Sequence, residues 1–303
     1  MCKSIIYLMC LSIGFFLSGC NQTLTNDNVL KYPPIDNNEE RYLYNRFDQK
    51  LLVYNTNLNT VVKAITEANF FQYEFPQQTE FYISGHSFDN DFEILQITDH
   101  KIQSLLTLNE NEGVFPVANN EKYYIVTHSF YDINGIEIEN LRKLCKFDQE
   151  KYELLDYENT SGLITKGVID TDTLYYTVYN KDTDRYSLYS IDLTSTNNTP
   201  LLNLENLISD DLLLTNQGIW VSDNSTFYND DKSFQKDILN YVHPDKNHII
   251  QIGITQDNEL VLKIYSIEKE VYITEVTNIV DFQTTSDSII IYGNGFQKRI
   301  DLK

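Results

Sequence analysis

The chain has 303 residues, of which 42% are hydrophobic and 13% aromatic, enough for a sizeable core. Its formal net charge of −21 argues against binding to nucleic acid or, through charge, to anionic lipid, because both need clustered Lys and Arg. The 11 Gly and 6 Pro are too few for a low-complexity chain. The composition therefore predicts a large acidic globular domain, and it is compatible with a cationic partner.

The N-terminus has the features of an export signal. Lys3 precedes the apolar run Ile5–Leu17, which is too short to span a bilayer comfortably. The run ends in Leu17-Ser18-Gly19-Cys20, which resembles the lipobox of bacterial lipoproteins. In that family the cysteine is acylated and becomes the first residue of the mature chain. The resemblance implies loss of residues 1–19 and a lipid on Cys20. An ordinary signal peptide or a single anchor helix is the alternative.

The same resemblance implies a location, and the composition of the chain after Cys20 predicts its domain organisation. The protein is expected to be lipid-anchored to a bacterial cell membrane and to face outward. Residues 20–40 form a polar tether, and residues 41–303 form the folded domain. The sequence does not distinguish an inner from an outer membrane.

The cysteines exclude a disulfide framework. Cys2 and Cys10 lie in the segment that would be removed, so Cys145 has no partner if Cys20 carries lipid. We predict that Cys145 is a buried side chain in a strand over Leu141–Phe147 rather than a reactive thiol.

A repeated unit organises the chain from residue 41 onward, and its clearest copy is Thr173–Asn203. There the pattern predicts strands over Leu174–Asn180 and Tyr186–Leu193 and the start of another over Pro200–Asn203. Tyrosines and branched residues occupy the strands, while Asn and Asp occupy the turns. This spacing predicts an antiparallel meander.

Two landmarks give the period of the repeat. One is the turn after the leading strand, which aligns Asn45, His86, His128 and Asn180. The other is the polar residue that ends the following strand, from Asn55 in the first unit to Asp301 in the seventh, which gives a period of about 41 residues. Such a period predicts an all-β fold, a β-propeller with seven blades. A short fifth unit leaves six or eight blades open, and a pair of β-sandwiches is the alternative fold.

Few residues have the spacing of a catalytic or metal site. His86 and His128 precede Ser-Phe pairs, but the repeat by itself explains their recurrence in equivalent turns. His100, His243 and His248 show no HExxH-like spacing, and the Asp clusters do not follow the calcium-loop pattern. We therefore expect no catalytic residue, no metal and no cofactor.

The sequence leaves two hypotheses for function. We expect a membrane-anchored, monomeric binding or scaffolding module for a protein or peptide, with no nucleic-acid partner. The alternative is an envelope hydrolase or lyase that acts on a carbohydrate or similar polymer through acidic residues at the propeller centre.

The edges of the repeat region predict one further strand. After Asp301 the final unit has no room for an outer strand, and an open sheet edge invites aggregation. Upstream, the stretch Thr23–Tyr32 has enough apolar content for a strand. We predict that this part of the tether pairs with the terminal or the first blade, so that the N- and C-terminal segments close the ring.

Overall fold

The computed structural model describes strands and turns between Ile35 and Leu302. The described residues are 35, 39–45, 48, 50–65, 69–72, 80–86, 92–98, 101–108, 112–116, 123–131, 137–148, 151–154, 163–195 and 200–302. All of their regular structure is β, and this part of the chain contains no helix suited to crossing a membrane.

These residues form 26 strands in seven antiparallel sheets that follow one another along the chain. The first sheet contains β1 (Glu40–Asn45), β2 (Lys50–Asn55) and β3 (Thr60–Ile65). The second contains β4 (Asn69–Gln72), β5 (Glu80–His86), β6 (Phe92–Thr98) and β7 (Ile102–Leu108). The third contains β8 (Glu112–Pro116), β9 (Tyr123–Tyr131), β10 (Glu137–Asp148) and β11 (Lys151–Leu154).

The remaining sheets occupy the C-terminal half. The fourth contains β12 (Leu163–Asp170), β13 (Thr173–Asn180), β14 (Arg185–Asp192) and β15 (Leu201–Leu207). The fifth contains β16 (Leu212–Thr215), β17 (Gly218–Ser222), β18 (Thr226–Asn229) and β19 (Lys232–Gln235). The sixth contains β20 (Leu239–Val242), β21 (His248–Ile254), β22 (Leu260–Ser266) and β23 (Val271–Thr277), and the seventh contains β24 (Ile279–Thr284), β25 (Ser288–Gly293) and β26 (Phe296–Asp301).

The predicted meander is present in the fourth sheet. Strands β13 and β14 match the predicted strands to within a residue at each end, and they pair antiparallel from Thr173 with Asp192 to Asn180 with Arg185. The sheet also contains β12, which the repeat unit did not include. The predicted leading strand is therefore the second strand of its sheet.

One backbone hydrogen bond recurs in four sheets and shows which strands correspond. In each case the N–H of the residue after a strand donates to a carbonyl in the turn before the neighbouring strand. The donor and acceptor residues are Leu193 and Asp172, Ile267 and Asn247, Leu302 and Asp287, and Thr56 and Glu39. In the first three pairs the donor follows the third strand of its sheet, but in the fourth pair it follows β2. Among the described residues, the first sheet therefore lacks a first strand and the seventh lacks a fourth.

The core lies between the faces of successive sheets. One buried cluster joins the fifth and sixth sheets, and it includes Trp220, Phe227 and Phe234 together with Ile249 and Tyr265. Similar clusters join the fourth sheet to the fifth and the sixth to the seventh. This packing of consecutive antiparallel meanders, face against face, is β-propeller-like.

The first sheet also packs against the seventh. The Tyr44 N–H donates to Asp281 Oδ2 at 3.0 Å, and Arg41 donates to the Tyr292 hydroxyl. That hydroxyl in turn donates to Gln283 Oε1 at 2.7 Å. Polar contacts between β1, β24 and β25 thus join the two ends of the described fold, with a buried apolar cluster beside them.

Candidate functional site

The residues singled out in the sequence are spread over the fold. Cys20 lies outside the described residues. Asn45, His86 and Asn180 each end a strand, as the alignment predicted, but His128 lies inside β9, which continues to Tyr131. His86 and His128 are nevertheless equivalent in their pairing with the first strand of each sheet, and only the turn is displaced, because β9 and β10 form a longer hairpin than their counterparts.

Cys145 lies in β10, within the predicted strand. The strand is longer than predicted, and Cys145 pairs with Tyr124 of β9 and Leu154 of β11. The side chains of Cys145, His86 and His128 fall outside the described part of the structure. The roles proposed for them stay predictions.

Asp211 belongs to one of the Asp clusters and has two cationic partners. Its carboxylate forms ion pairs with both Lys166 and Lys236. Burial raises the pKa of Asp211, but the charges and hydrogen bonds of the two lysines outweigh it and hold that pKa below its usual range. A carboxylate kept ionised in this way is a poor general acid.

A groove between the sixth and seventh sheets is the candidate binding site. It has a volume of about 440 Å³ and lies between β23 and β26. Its lining residues are His248, Lys269, Ile273, Thr274, Lys298, Arg299, Ile300, Asp301 and Leu302. We call it the basic groove.

Both walls of the basic groove are strand edges. Within the described part of the chain, β23 is the outermost strand of the sixth sheet and β26 the outermost strand of the seventh. An edge strand presents backbone N–H and C=O groups that a further strand can pair with. The groove therefore offers main-chain hydrogen bonds to an extended segment.

The charge of the basic groove is opposite to that of the whole protein. Lys269, Lys298 and Arg299 face a single lining carboxylate, Asp301, in a chain whose net charge is −21. Arg299 is already paired with two carboxylates, Asp301 at 3.0 Å between Nε and Oδ1 and Asp287 at 3.5 Å between Nη2 and Oδ1, so the two lysines supply the excess charge. Neither lysine forms an ion pair with a described carboxylate. The groove thus carries a local excess of positive charge suited to an acidic ligand.

Apolar side chains complete the lining and its surroundings. Ile273 is 38% exposed, and its neighbours Val271 and Tyr272 on β23 are 49% and 46% exposed. Ile300 and Leu302 line the opposite wall while packing partly against the core. Exposed apolar residues rimmed by charges are typical of a surface that another chain covers.

The solved structures that resemble this chain share little of its sequence. A scan against protein-family models and a search of the curated proteins each found no match. Similar solved structures include a puromycin-hydrolysing peptidase of Mycobacterium tuberculosis, at 8% identity and TM-score 0.47 over 89% of this chain and 51% of that one. An acylaminoacyl peptidase of Pyrococcus horikoshii matches at 9% identity and TM-score 0.48, over 84% of this chain and 48% of that one.

A third similar structure is Hsv2 of Kluyveromyces lactis. It matches at 10% identity and TM-score 0.43, over 87% of this chain and 100% of that one. The chain thus spans about half the length of each of the two peptidases and the whole length of Hsv2.

The basic groove was not predicted from the sequence. Its residues come from three places that are distant in sequence, so no motif joins them. One signal was present: Lys298-Arg299 is a pair of adjacent basic residues in a strongly acidic chain. Because neighbouring residues of a strand point to opposite faces, that pair alone did not indicate a shared surface.

Proposed function

We propose that this protein is a bacterial envelope lipoprotein, anchored by a lipid on Cys20, that binds an acidic, extended segment of a partner protein in its basic groove. The folded domain is a closed seven-bladed β-propeller in this proposal. The observation that carries the binding function is the basic groove itself, an open strand edge bordered by lysines that no described carboxylate neutralises. The proposal is a binding function rather than catalysis.

Two observations support the closed propeller. Consecutive sheets contact one another in chain order, and the first sheet contacts the seventh through β1 and β24. Each of the other neighbouring pairs of sheets is linked by continuous chain. The first and seventh sheets are instead joined by the polar contacts of Arg41 and Tyr44. Seven sheets in the described residues agree with the seven repeats of about 41 residues.

The mode of binding follows from the strand edges. A partner segment that adds to β26 would gain main-chain hydrogen bonds, and its alternate side chains would face the groove. Carboxylates at those positions would meet Lys269 and Lys298. A segment that alternates acidic and β-branched residues fits this chemistry, because the alternation places all of its carboxylates on the face toward the groove.

Charge reversal in the groove tests the proposal. The double variant Lys269→Glu with Lys298→Glu is expected to weaken binding of a fluorescent peptide of alternating Glu and Val by at least about tenfold, because attraction becomes repulsion. Fluorescence anisotropy at low salt measures the Kd, and added salt should weaken the parent complex.

The matched control reverses two lysines outside the groove. Lys101 and Lys181 are exposed, so Lys101→Glu with Lys181→Glu changes the net charge equally. This control should keep the parent affinity to within about twofold if the groove is the site. Equal losses in both double variants would show that only net charge matters, and the assignment of the groove would be wrong.

The lipid anchor has its own test. Cys20→Ala is expected to move the protein from the membrane fraction to the soluble fraction or to leave it unprocessed, because the acylated side chain is missing. Fractionation with metabolic labelling by a fatty acid measures both effects. Ser18→Thr, which leaves the cysteine in place, is the control. A Cys20→Ala protein that is processed and retained like the parent would exclude lipidation at Cys20.

A further inference from the structure

A second cluster of polar side chains lies in the turn between β20 and β21. The turn contains His243 and Asp245, and His248 begins β21, so the three residues lie within six positions. The spacing of these residues matches no known ligand motif and predicted no metal site here. The structure nevertheless brings the three side chains together, and their ligand atoms all lie within 4.8 Å of one another.

The carboxylate of Asp245 lies between the two imidazoles. Its Oδ1 is 3.1 Å from His243 Nδ1, and its Oδ2 is 2.7 Å from His248 Nδ1. Two nitrogens and a carboxylate are a donor set that first-row transition metals prefer, whereas Ca²⁺ and Mg²⁺ prefer oxygen alone.

The far side of His243 is fixed by the protein. The side chain is fully buried, and its Nε2 lies 3.3 Å from the Ser288 carbonyl, to which it donates. Metal-binding histidines commonly donate their other ring N–H to a carbonyl in this way, which fixes the ring and leaves the second nitrogen as the ligand. With Nε2–H so engaged, Nδ1 is an acceptor that takes the Asp245 N–H at 3.2 Å and also faces Asp245 Oδ1 at 3.1 Å. A bound cation would replace that N–H as the partner of Nδ1 and would be shared with the carboxylate.

Other contacts hold the turn in this shape. Asp245 Oδ1 accepts the N–H of Asn247 at 2.8 Å and that of His248 at 3.2 Å. The Asn216 side chain donates to the Asp245 carbonyl at 3.0 Å. Lys246, the nearest cation in sequence, is paired with Asp170 at 3.1 Å. The ligand atoms are therefore preorganised, and the charge of Lys246 is compensated by another residue.

We propose that His243, Asp245 and His248 bind one divalent transition-metal ion of the Zn²⁺ type. Three protein ligands leave a further coordination position for water or a ligand group. Because His248 also lines the basic groove, the ion would add positive charge to its wall. The metal site stands on its own contacts and does not depend on peptide binding.

Thermal unfolding with added ZnCl₂ tests the site in the full folded domain. At a hundredfold excess of Zn²⁺ over its Kd, the Tm is expected to rise by about 5 °C, because the ion binds only the folded state. MgCl₂ at the same concentration should leave the Tm unchanged. Isothermal titration calorimetry of the parent protein should give a stoichiometry of about one Zn²⁺ ion per chain. This binding should be lost in the two variants described below.

Two variants remove ligands in different ways. Asp245→Asn keeps an oxygen for the turn hydrogen bonds but loses the carboxylate charge, and His248→Gln removes an imidazole. Each should lose the Zn²⁺-dependent rise in Tm. The control is Asp223→Asn, since Asp223 Oδ1 likewise accepts two backbone N–H groups, from Ser225 and Thr226, each at 2.7 Å. It should respond to Zn²⁺ like the parent.

The comparison of variants decides the outcome. If either Asp245→Asn or His248→Gln shows the full parent response, Zn²⁺ binds elsewhere in the chain and the assignment is wrong. The same holds if the parent shows no response to Zn²⁺ at all. Because each variant is compared with its own Tm without metal, a loss of stability by itself does not imitate the expected result.

Discussion

Replacing Trp220 with alanine is expected to lower the free energy of unfolding by about 3–5 kcal/mol. The side chain is 1% exposed and lies in the cluster that joins the fifth and sixth sheets. Its ring centroid is 5.1 Å from that of Phe234, which stacks at 4.9 Å on Tyr265 of the next sheet. Truncation leaves a cavity between two sheets, and equilibrium unfolding in urea measures the shift in midpoint.

Two further variants separate the causes of that loss. Trp220→Phe keeps the aromatic packing but removes the hydrogen bond from Nε1 to Thr215 Oγ1, at 3.0 Å, and should cost about 1 kcal/mol. Tyr228→Ala removes an aromatic side chain of the same sheet. Because Tyr228 is 36% exposed, its loss should lower the free energy of unfolding less than Trp220→Ala does. Equal losses for Trp220→Ala and Tyr228→Ala would contradict the placement of the core between the sheets.

Deleting residues 22–31 from a soluble form that begins at Asn21 is expected to lower the Tm of the whole domain by about 5 °C or more, in one cooperative transition. The sequence predicts a strand in this segment. Thr56 and Glu39 form the hydrogen bond that elsewhere joins the end of a third strand to the turn before the second. By this correspondence β1 is equivalent to a second strand, and the first sheet has no first strand among the described residues.

A pair of substitutions gives the control for this deletion. Val29→Ser with Leu30→Ser removes the apolar side chains that a buried strand would need, and should reproduce most of the loss in Tm. Asn26→Ser with Asn28→Ser changes the same segment without removing apolar surface, and should leave the Tm close to that of the parent. If the deletion and both double variants leave the Tm unchanged, the segment is only a linker and the proposed ring closure fails.

The sequence predicted the local elements well, for a physical reason. Alternating apolar residues in Leu174–Asn180 can be buried on one face only as a strand, and Asn180 and the turn after it permit the reversal into β14. The same information is local in every repeat, which is why the period of about 41 residues predicted seven units. His128 shows the limit of this argument, because hairpin length depends on the partner strand.

The candidate site was harder to predict because it is assembled from distant segments. His248, Lys269 and Lys298 meet only when two sheets pack side by side, and no spacing in the chain encodes that meeting. Asp211 shows the same effect, because its two partner lysines are distant from it in sequence. Lys166 lies before it in β12, and Lys236 lies after it, directly following β19. The cluster of His243, Asp245 and His248 is local, but a turn rather than a helix brings it together, so motifs based on helical spacing did not detect it.

The sequence by itself determined that the chain forms short antiparallel meanders, because side-chain alternation and turn residues act over a few positions. The four residues that resemble a lipobox also predicted a lipid on Cys20. Only the tertiary structure decided which strand begins each sheet, how the first sheet meets the seventh, and where positive charge gathers in an acidic protein. These features depend on packing between residues that are far apart in the chain, and the energy of such contacts exists only once the sheets have come together.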